Sequence, residues 1–357
     1  MDLIFIMLKC AIFVFFIFGM VQGEVGVDDC YKSNHKENVC QYMKQFEKTY
    51  ANHSELTLRA HQIHGADNLE IEGVRFGYTS RTDRFAHELK RNNVLKQKRH
   101  TKLRRPKVQQ YEKLAVPPSL PPIDWRDMKG VSYISPVQQQ GECGCCFAFA
   151  AATVLEFWSA KHGHPKPLSV QHLMDCTSTK GGPNDGCDGG LMEYVFEYGS
   201  KYSVILESDK TYNGFVQDRC PSRDMFSHVH VGNWKVIERS TCHNAEDQLE
   251  WLLHAYGPIA IGVDSSQWDN YRGGTFKHTM CTTDIDHAAT IVGYTKDAWI
   301  VKNSWGTDWG DNGYIYLERG HNTCGVAEYV TYVTDAYPIL KTKPSWPVWS
   351  SRMYFRM

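Results

Sequence analysis

The chain has almost no net charge: 39 Lys and Arg stand against 40 Asp and Glu, giving −1 at pH 7. It lacks the basic excess through which proteins hold nucleic acid, so no nucleic-acid partner is expected. It also has no apolar run near its start that is long enough to cross a bilayer. The stretch from Cys10 to Met20 falls short of the roughly 20 residues a spanning helix needs. No segment repeats, which argues against a solenoid or propeller. The cluster Cys143-Gly144-Cys145-Cys146 has no second Cys or His pair at short spacing beside it, as a zinc site would want. Neither a metal nor a cofactor is expected.

What is present begins with a short apolar segment followed by Val21-Gln22-Gly23, which reads as a secretory signal over residues 1–23. Asp2 and the deep Lys9 make its front irregular, and an uncleaved anchor is the alternative. After signal removal no stable membrane association is expected, and the product is secreted or lysosomal. Twelve cysteines fit that oxidising route. Between Lys90 and Lys107 stand nine basic residues and no acids, which mark an exposed, cleavable connection. Pro117-Pro118-Ser119-Leu120-Pro121-Pro122 is a stiff, extended linker.

Beyond it the pattern changes twice. Helices are expected at 146–160, 169–175 and 190–200, then strands at 231–237, 258–263, 288–294, 299–303 and 314–318. One helix interrupts the strands, capped by Asn244 and running to Tyr256. Helices first and antiparallel strands second predict an α+β fold of two lobes.

Cys146 opens the Ala-rich apolar run, directly after a Gly-rich segment that cannot be helical. That puts its thiol at a helix N-terminus, where unpaired N–H groups and the helix dipole favour a thiolate. Taken alone, such a cysteine is more often a small core hydrophobe. Gln140 upstream, with Asp286-His287 and Asn303-Ser304-Trp305-Gly306 downstream, supplies the other parts of a nucleophilic centre.

Those residues, in that order, resemble the papain family of cysteine proteases, in its cathepsin L-like branch. The resemblance runs from about Leu120 to Tyr337. Cys145 and Phe147 depart from it, standing where a small residue and Trp or Tyr are usual. The family implies a helical lobe and a β-barrel-like lobe with a cleft between them. It implies a monomer acting on peptide or protein substrates, made as an inactive precursor with its own pro-segment as intramolecular inhibitor. The divisions are then residues 1–23 signal, 24–116 pro-segment and basic linker, 117–340 peptidase, and 341–357 tail. Glu55, Arg59, Ile63, Asn68 and Ile71 form a degenerate version of the family's pro-segment helix, and Phe76-Gly77-Tyr78-Thr79 its strand and turn.

By the same resemblance Cys146 is the nucleophile, His287 its partner, Asn303 the residue orienting His287, and Gln140 an oxyanion donor. Trp305 shields the His287–Asn303 bond. Gly189, Gly190, Leu191 and Met192 wall the substrate's second pocket, Gly262 and Ala288 line its sides, and Tyr329 forms its base. Implied disulfides are Cys143–Cys187, Cys176–Cys220 and Cys281–Cys324. Cys30 and Cys40 are a candidate pair within the pro-segment, and Cys242 is left over. Cys145 has three fates: a vicinal disulfide with Cys146, another partner, or a free thiol. Two rival readings are a non-catalytic papain-like protein that binds peptides or partners, and a thiol–disulfide oxidoreductase built on Cys143 and Cys146.

Overall fold

The computed structural model describes residues 69–77, 79, 81, 120–178, 182–217, 220, 228–238 and 245–339. The signal, the pro-segment helix, the basic linker, Cys30, Cys40, Cys242 and the tail lie outside the described residues.

The chain enters as a two-stranded ribbon, β1 (Glu70–Ile71) and β2 (Val74–Phe76), followed much later by β3 (Ile123–Asp124). Helix α1 (Cys146–Lys161) comes next. Ala, Leu and Phe with no Gly or Pro favour helix here. Every residue from Cys146 to Ser159 is buried, so this is a helix wrapped on all sides rather than an amphipathic one. It stops where Gly163 turns left-handed, φ +84°. Around it pack α2 (Val170–Ser178) and α3 (Met192–Tyr202). Phe147, Leu155, Leu173 and Phe196 belong to this first core.

The second lobe is a sheet. Its elements are β4 (Val229–Glu238), α4 (Ala245–Tyr256), β5 (Ile259–Val263), β6 (Tyr271–Gly273), β7 (Thr275–Phe276), β8 (His287–Tyr294), β9 (Ala298–Lys302), β10 (Tyr314–Glu318) and β11 (Tyr329–Pro338). Strand order is β4-β11-β5-β8-β9-β10-β7, with β3 also on β8. The pairs are antiparallel except β10 with β7, which is parallel. Leu252, Ile261, Ile291 and Val301 belong to its core.

Strand β8 serves both lobes. All its positions are buried, as expected of a strand covered on both faces. Ala288 belongs to the first core, Ala289 and Ile291 to the second. Thr290 docks the strand onto α1 by donating to the Ala150 carbonyl at 3.2 Å. At Gly293 the backbone of Ile123 and Asp124 fills the space a Cβ would need, so the bare residue is what lets β3 pair there.

A buried polar network also ties the lobes together. Glu156 of α1 accepts the Leu168 N–H at 2.8 Å and is hydrogen-bonded to the Ser135 hydroxyl. Lys302 of β9 donates to Ser135 Oγ at 2.9 Å and to Thr153 Oγ1 at 3.2 Å. Burial pushes the Glu156 carboxyl up and the Lys302 ammonium down to about 8, each opposed by the other's charge.

Besides the short strands β3, β6 and β7, which were not expected, two elements differ from the expected pattern. The helix expected from residue 190 begins at Met192, because Leu191 is extended and the Asn184 side chain occupies the space beside Gly190. Strand β11 was missing from the expected set, although its alternating aromatic and β-branched residues suit a strand paired on both edges.

Candidate active site

The segment before α1 is held in place before its chemistry begins. Cys143 is bonded to Cys187, Cys176 to Cys220 and Cys281 to Cys324. The Cys143–Cys187 bond anchors the loop leading into α1, and Gly144 N–H adds a bond to the Cys187 carbonyl at 2.9 Å. Cys145 and Cys146 are outside any disulfide, and both are buried. Of the three fates left open for Cys145, the free thiol is the one observed. It points to the Tyr212 hydroxyl, 3.1 Å away.

Gln140 is fixed from several directions. Its backbone N–H donates to the Ser304 carbonyl at 2.8 Å, and its own carbonyl accepts the Tyr212 hydroxyl at 2.7 Å. Its side-chain Oε1 accepts the Ser304 hydroxyl at 2.6 Å, and Nε2 donates to the Cys143 carbonyl at 2.9 Å. Gln139 donates to the Trp305 carbonyl at 3.2 Å. The Gln139–Gln140 loop of one lobe is thereby laced to the Asn303–Trp305 segment of the other.

His287 opens β8 and is fully buried. Its Nε2 donates to Asn303 Oδ1 at 2.8 Å, which leaves Nδ1 as the acceptor. No hydrogen-bond partner for that Nδ1 is found among the described residues. The Trp305 ring lies 4.9 Å from the imidazole, centre to centre, and Trp268 stands edge-on at 6.2 Å. Asp286, the preceding residue, accepts the backbone N–H and hydroxyl of Ser265 at 2.8 and 3.0 Å.

The electrostatics run against the sequence expectation of a depressed thiol pKa. Burial pushes Cys146 up to about 12, and the Ala288 and Phe147 backbone N–H groups pull it only partly back. Burial pushes His287 down to about 3; the Asn303 bond opposes this and the Arg81 cation adds to it. Desolvation outweighs the helix terminus. Burial therefore favours the uncharged form of each group while the centre is covered.

The expected pocket residues are also brought together. Tyr329, Gly262 and Ala288 stand in register across β11, β5 and β8. Leu191, Met192, Ala288 and Tyr329 share the first core, and Gly189 and Gly190 lead into α3.

Sequence reasoning missed Trp268, Tyr212, Asp269 and Arg81, and gave Ser304 no role of its own. Trp268, Tyr212 and Ser304 sit close to residues that were singled out. Nothing local marks Arg81, which reaches Asp269 across 188 positions of chain.

A reduced thiol at the head of a buried helix and an imidazole oriented by an amide, set where two lobes meet, define a cysteine–histidine centre. The family described as papain family cysteine protease matches residues 120–334, and the chain belongs to that family. It is 38% identical to mouse (Mus musculus) cathepsin 7 over 60% of its length, and 37% identical to cat (Felis catus) procathepsin L over 59%. Those matches span 66% and 65% of the two relatives, just under two thirds of their length. Among solved structures it resembles a digestive procathepsin L 3 from the larval midgut of Tenebrio molitor. That likeness has a TM-score of 0.62 at 27% identity, covering 85% of this chain and all of the other. Among the described residues no helix is long and apolar enough to cross a membrane.

Proposed function

We propose that the chain is a cysteine endopeptidase made as an inactive precursor, with residues 24–116 as its inhibitory segment. The observation that carries this reading is the His287 ring: Nε2 is committed to Asn303, and Nδ1 is left for the thiol of Cys146, which lies within reach of the neighbouring Ala288 N–H. With the cleft uncovered and rehydrated, the proton moves from Cys146 to His287 Nδ1 and gives a thiolate and an imidazolium. The sulfur attacks a peptide carbonyl carbon, and the oxyanion is met by Gln140 Nε2–H and the Cys146 backbone N–H. His287 hands its proton to the departing amine and leaves a thioester, which water cleaves with His287 as base. Asn303 holds the ring throughout, and Trp305 keeps water from its bond.

The test takes the folded full-length precursor to about pH 5, where carboxylates begin to protonate, with a mild thiol reductant. A fluorogenic peptide carrying Leu or Val two positions before the cut should be hydrolysed, and a thiol-alkylating reagent should abolish the signal. Silence after residues 24–116 have been removed would overturn the reading.

Two further outcomes follow from the same geometry. Gln140→Ala should lower kcat/KM by about 10²-fold, the scale of losing one oxyanion donor. Stopped assays on matched amounts of processed protein would measure it. In the second pocket, Tyr329 takes up volume at the base of the Gly262–Ala288 row. The shallow pocket should therefore prefer Val or Leu to Phe. A peptide series varied at that position reads the preference, and Phe in first place would refute it.

A further inference from the structure

Arg81 is the last described residue before the linker, and its side chain is seated as a ligand would be. Its guanidinium lies 3.7 Å above the Trp305 ring and donates from Nε to Asp269 Oδ1 at 2.7 Å. The side chain is only 7% exposed, and that of Asp269 19%. The backbone leading to it is held as well. Gly77 N–H donates to the Asn270 carbonyl at 2.9 Å, and the Thr79 hydroxyl donates to the Asp269 carbonyl at 2.6 Å. Thr79 Oγ1 in turn accepts the Arg81 N–H at 3.1 Å. Among the described residues Arg81 is the cation paired with Asp269.

When the segment leaves, it exposes a face made of an indole plane and a partly desolvated carboxylate. This combination suits a guanidinium: the ring quadrupole attracts the cation, and the carboxylate accepts its N–H groups. Its location decides which part of a substrate it meets. Trp305 lies directly against the His287 ring, 4.9 Å centre to centre. The imidazole that protonates the departing amine must border the first residue of the departing fragment.

We propose that Asp269 and Trp305 form an acidic subsite that takes an Arg or Lys side chain from the residue just after the cleaved bond, with Arg81 occupying it in the precursor. This rests on the peptidase reading above. Arg is favoured over Lys, because its planar guanidinium can stack on the indole while bonding the carboxylate.

The test uses the full-length protein, folded as precursor and then processed. Internally quenched peptides differ only in the residue after the cut, as Arg, Lys, Leu or Glu, and mass spectrometry locates the broken bond. The expected order is Arg, then Lys, Leu and Glu, with Arg ahead of Leu by about 10-fold in kcat/KM, as for a charge-assisted hydrogen bond at a partly exposed site. In Asp269→Asn the Arg-to-Leu ratio should fall to about one third of that or less, while Asp269→Glu should keep it. High salt should also shrink it in wild type. A flat profile in wild type, or an Arg preference unchanged in Asp269→Asn, overturns the subsite while leaving the peptidase standing. If no peptide is cut, the peptidase reading falls, and fluorescence polarisation with the Arg and Leu peptides decides the subsite by itself. Tighter binding of the Arg peptide supports it, and equal binding refutes it.

Discussion

Cys146→Ala should remove peptide hydrolysis from the processed protein, lowering kcat/KM by about 10⁵-fold or more, as loss of a catalytic nucleophile does elsewhere. The reason to choose Cys146 over its neighbour is position rather than acidity. Burial pushes both thiols up to about 12, so neither is marked by its proton affinity. Cys146 starts α1 and lies within reach of the Ala288 N–H, one residue from His287. Cys145 faces the other way, onto Tyr212. Cys145→Ser should therefore keep most of the activity, since a hydroxyl can meet the same phenol. The measurement is a fluorogenic assay on all three proteins, together with mass spectrometry of the site alkylated by iodoacetamide. Activity surviving in Cys146→Ala but lost in Cys145→Ser would reverse the assignment.

The second large effect concerns stability. Glu156→Ala leaves the Lys302 ammonium between the lobes without its compensating carboxylate, and breaking such a buried charge arrangement costs about 3–5 kcal/mol. For a protein of this size that is a drop of about 10 °C in the unfolding midpoint. Lys302→Met alone should be costly too, because it strands the buried carboxylate of Glu156. The double variant Glu156→Ala with Lys302→Met should recover much of the loss, since the penalty comes from the uncompensated charge. Urea midpoints for the four proteins give the coupling. If the three variants lose amounts that simply add, the network is incidental to stability.

Local sequence carried much of the architecture. The Ala-rich run after Cys146 could only be buried helix, and the strand that starts at His287 was legible in its continuous apolar pattern. What sequence could not supply was contact across distance. The pairing of β7 with β10 is parallel and non-local, with no period to announce it. Nothing local tells that Glu156 in an otherwise apolar helix and Lys302 in a buried strand belong to one network. The shifts at the covered centre were out of reach for a related reason. A helix terminus can be read from sequence, whereas the desolvation that outweighs it depends on everything packed around Cys146 and His287. The Arg81–Asp269 pair was invisible for the same cause.

The ribbon β1–β2 has one more consequence. Strand β2 lies on β6, Phe76 packs on Phe276, and Arg81 reaches Trp305. None of these bonds is covalent; what makes them strong is that both sides belong to one chain. A tethered segment sees its site at an effective concentration on the millimolar scale. A single cut anywhere between Arg81 and Leu120 leaves each contact unchanged but turns their formation into an encounter between two molecules. From then on the ribbon competes at its bulk concentration, so dilution drives it off and keeps it off. The same contacts would hold tightly in a crowded vesicle and fail in an open fluid, which makes the surrounding volume part of the switch.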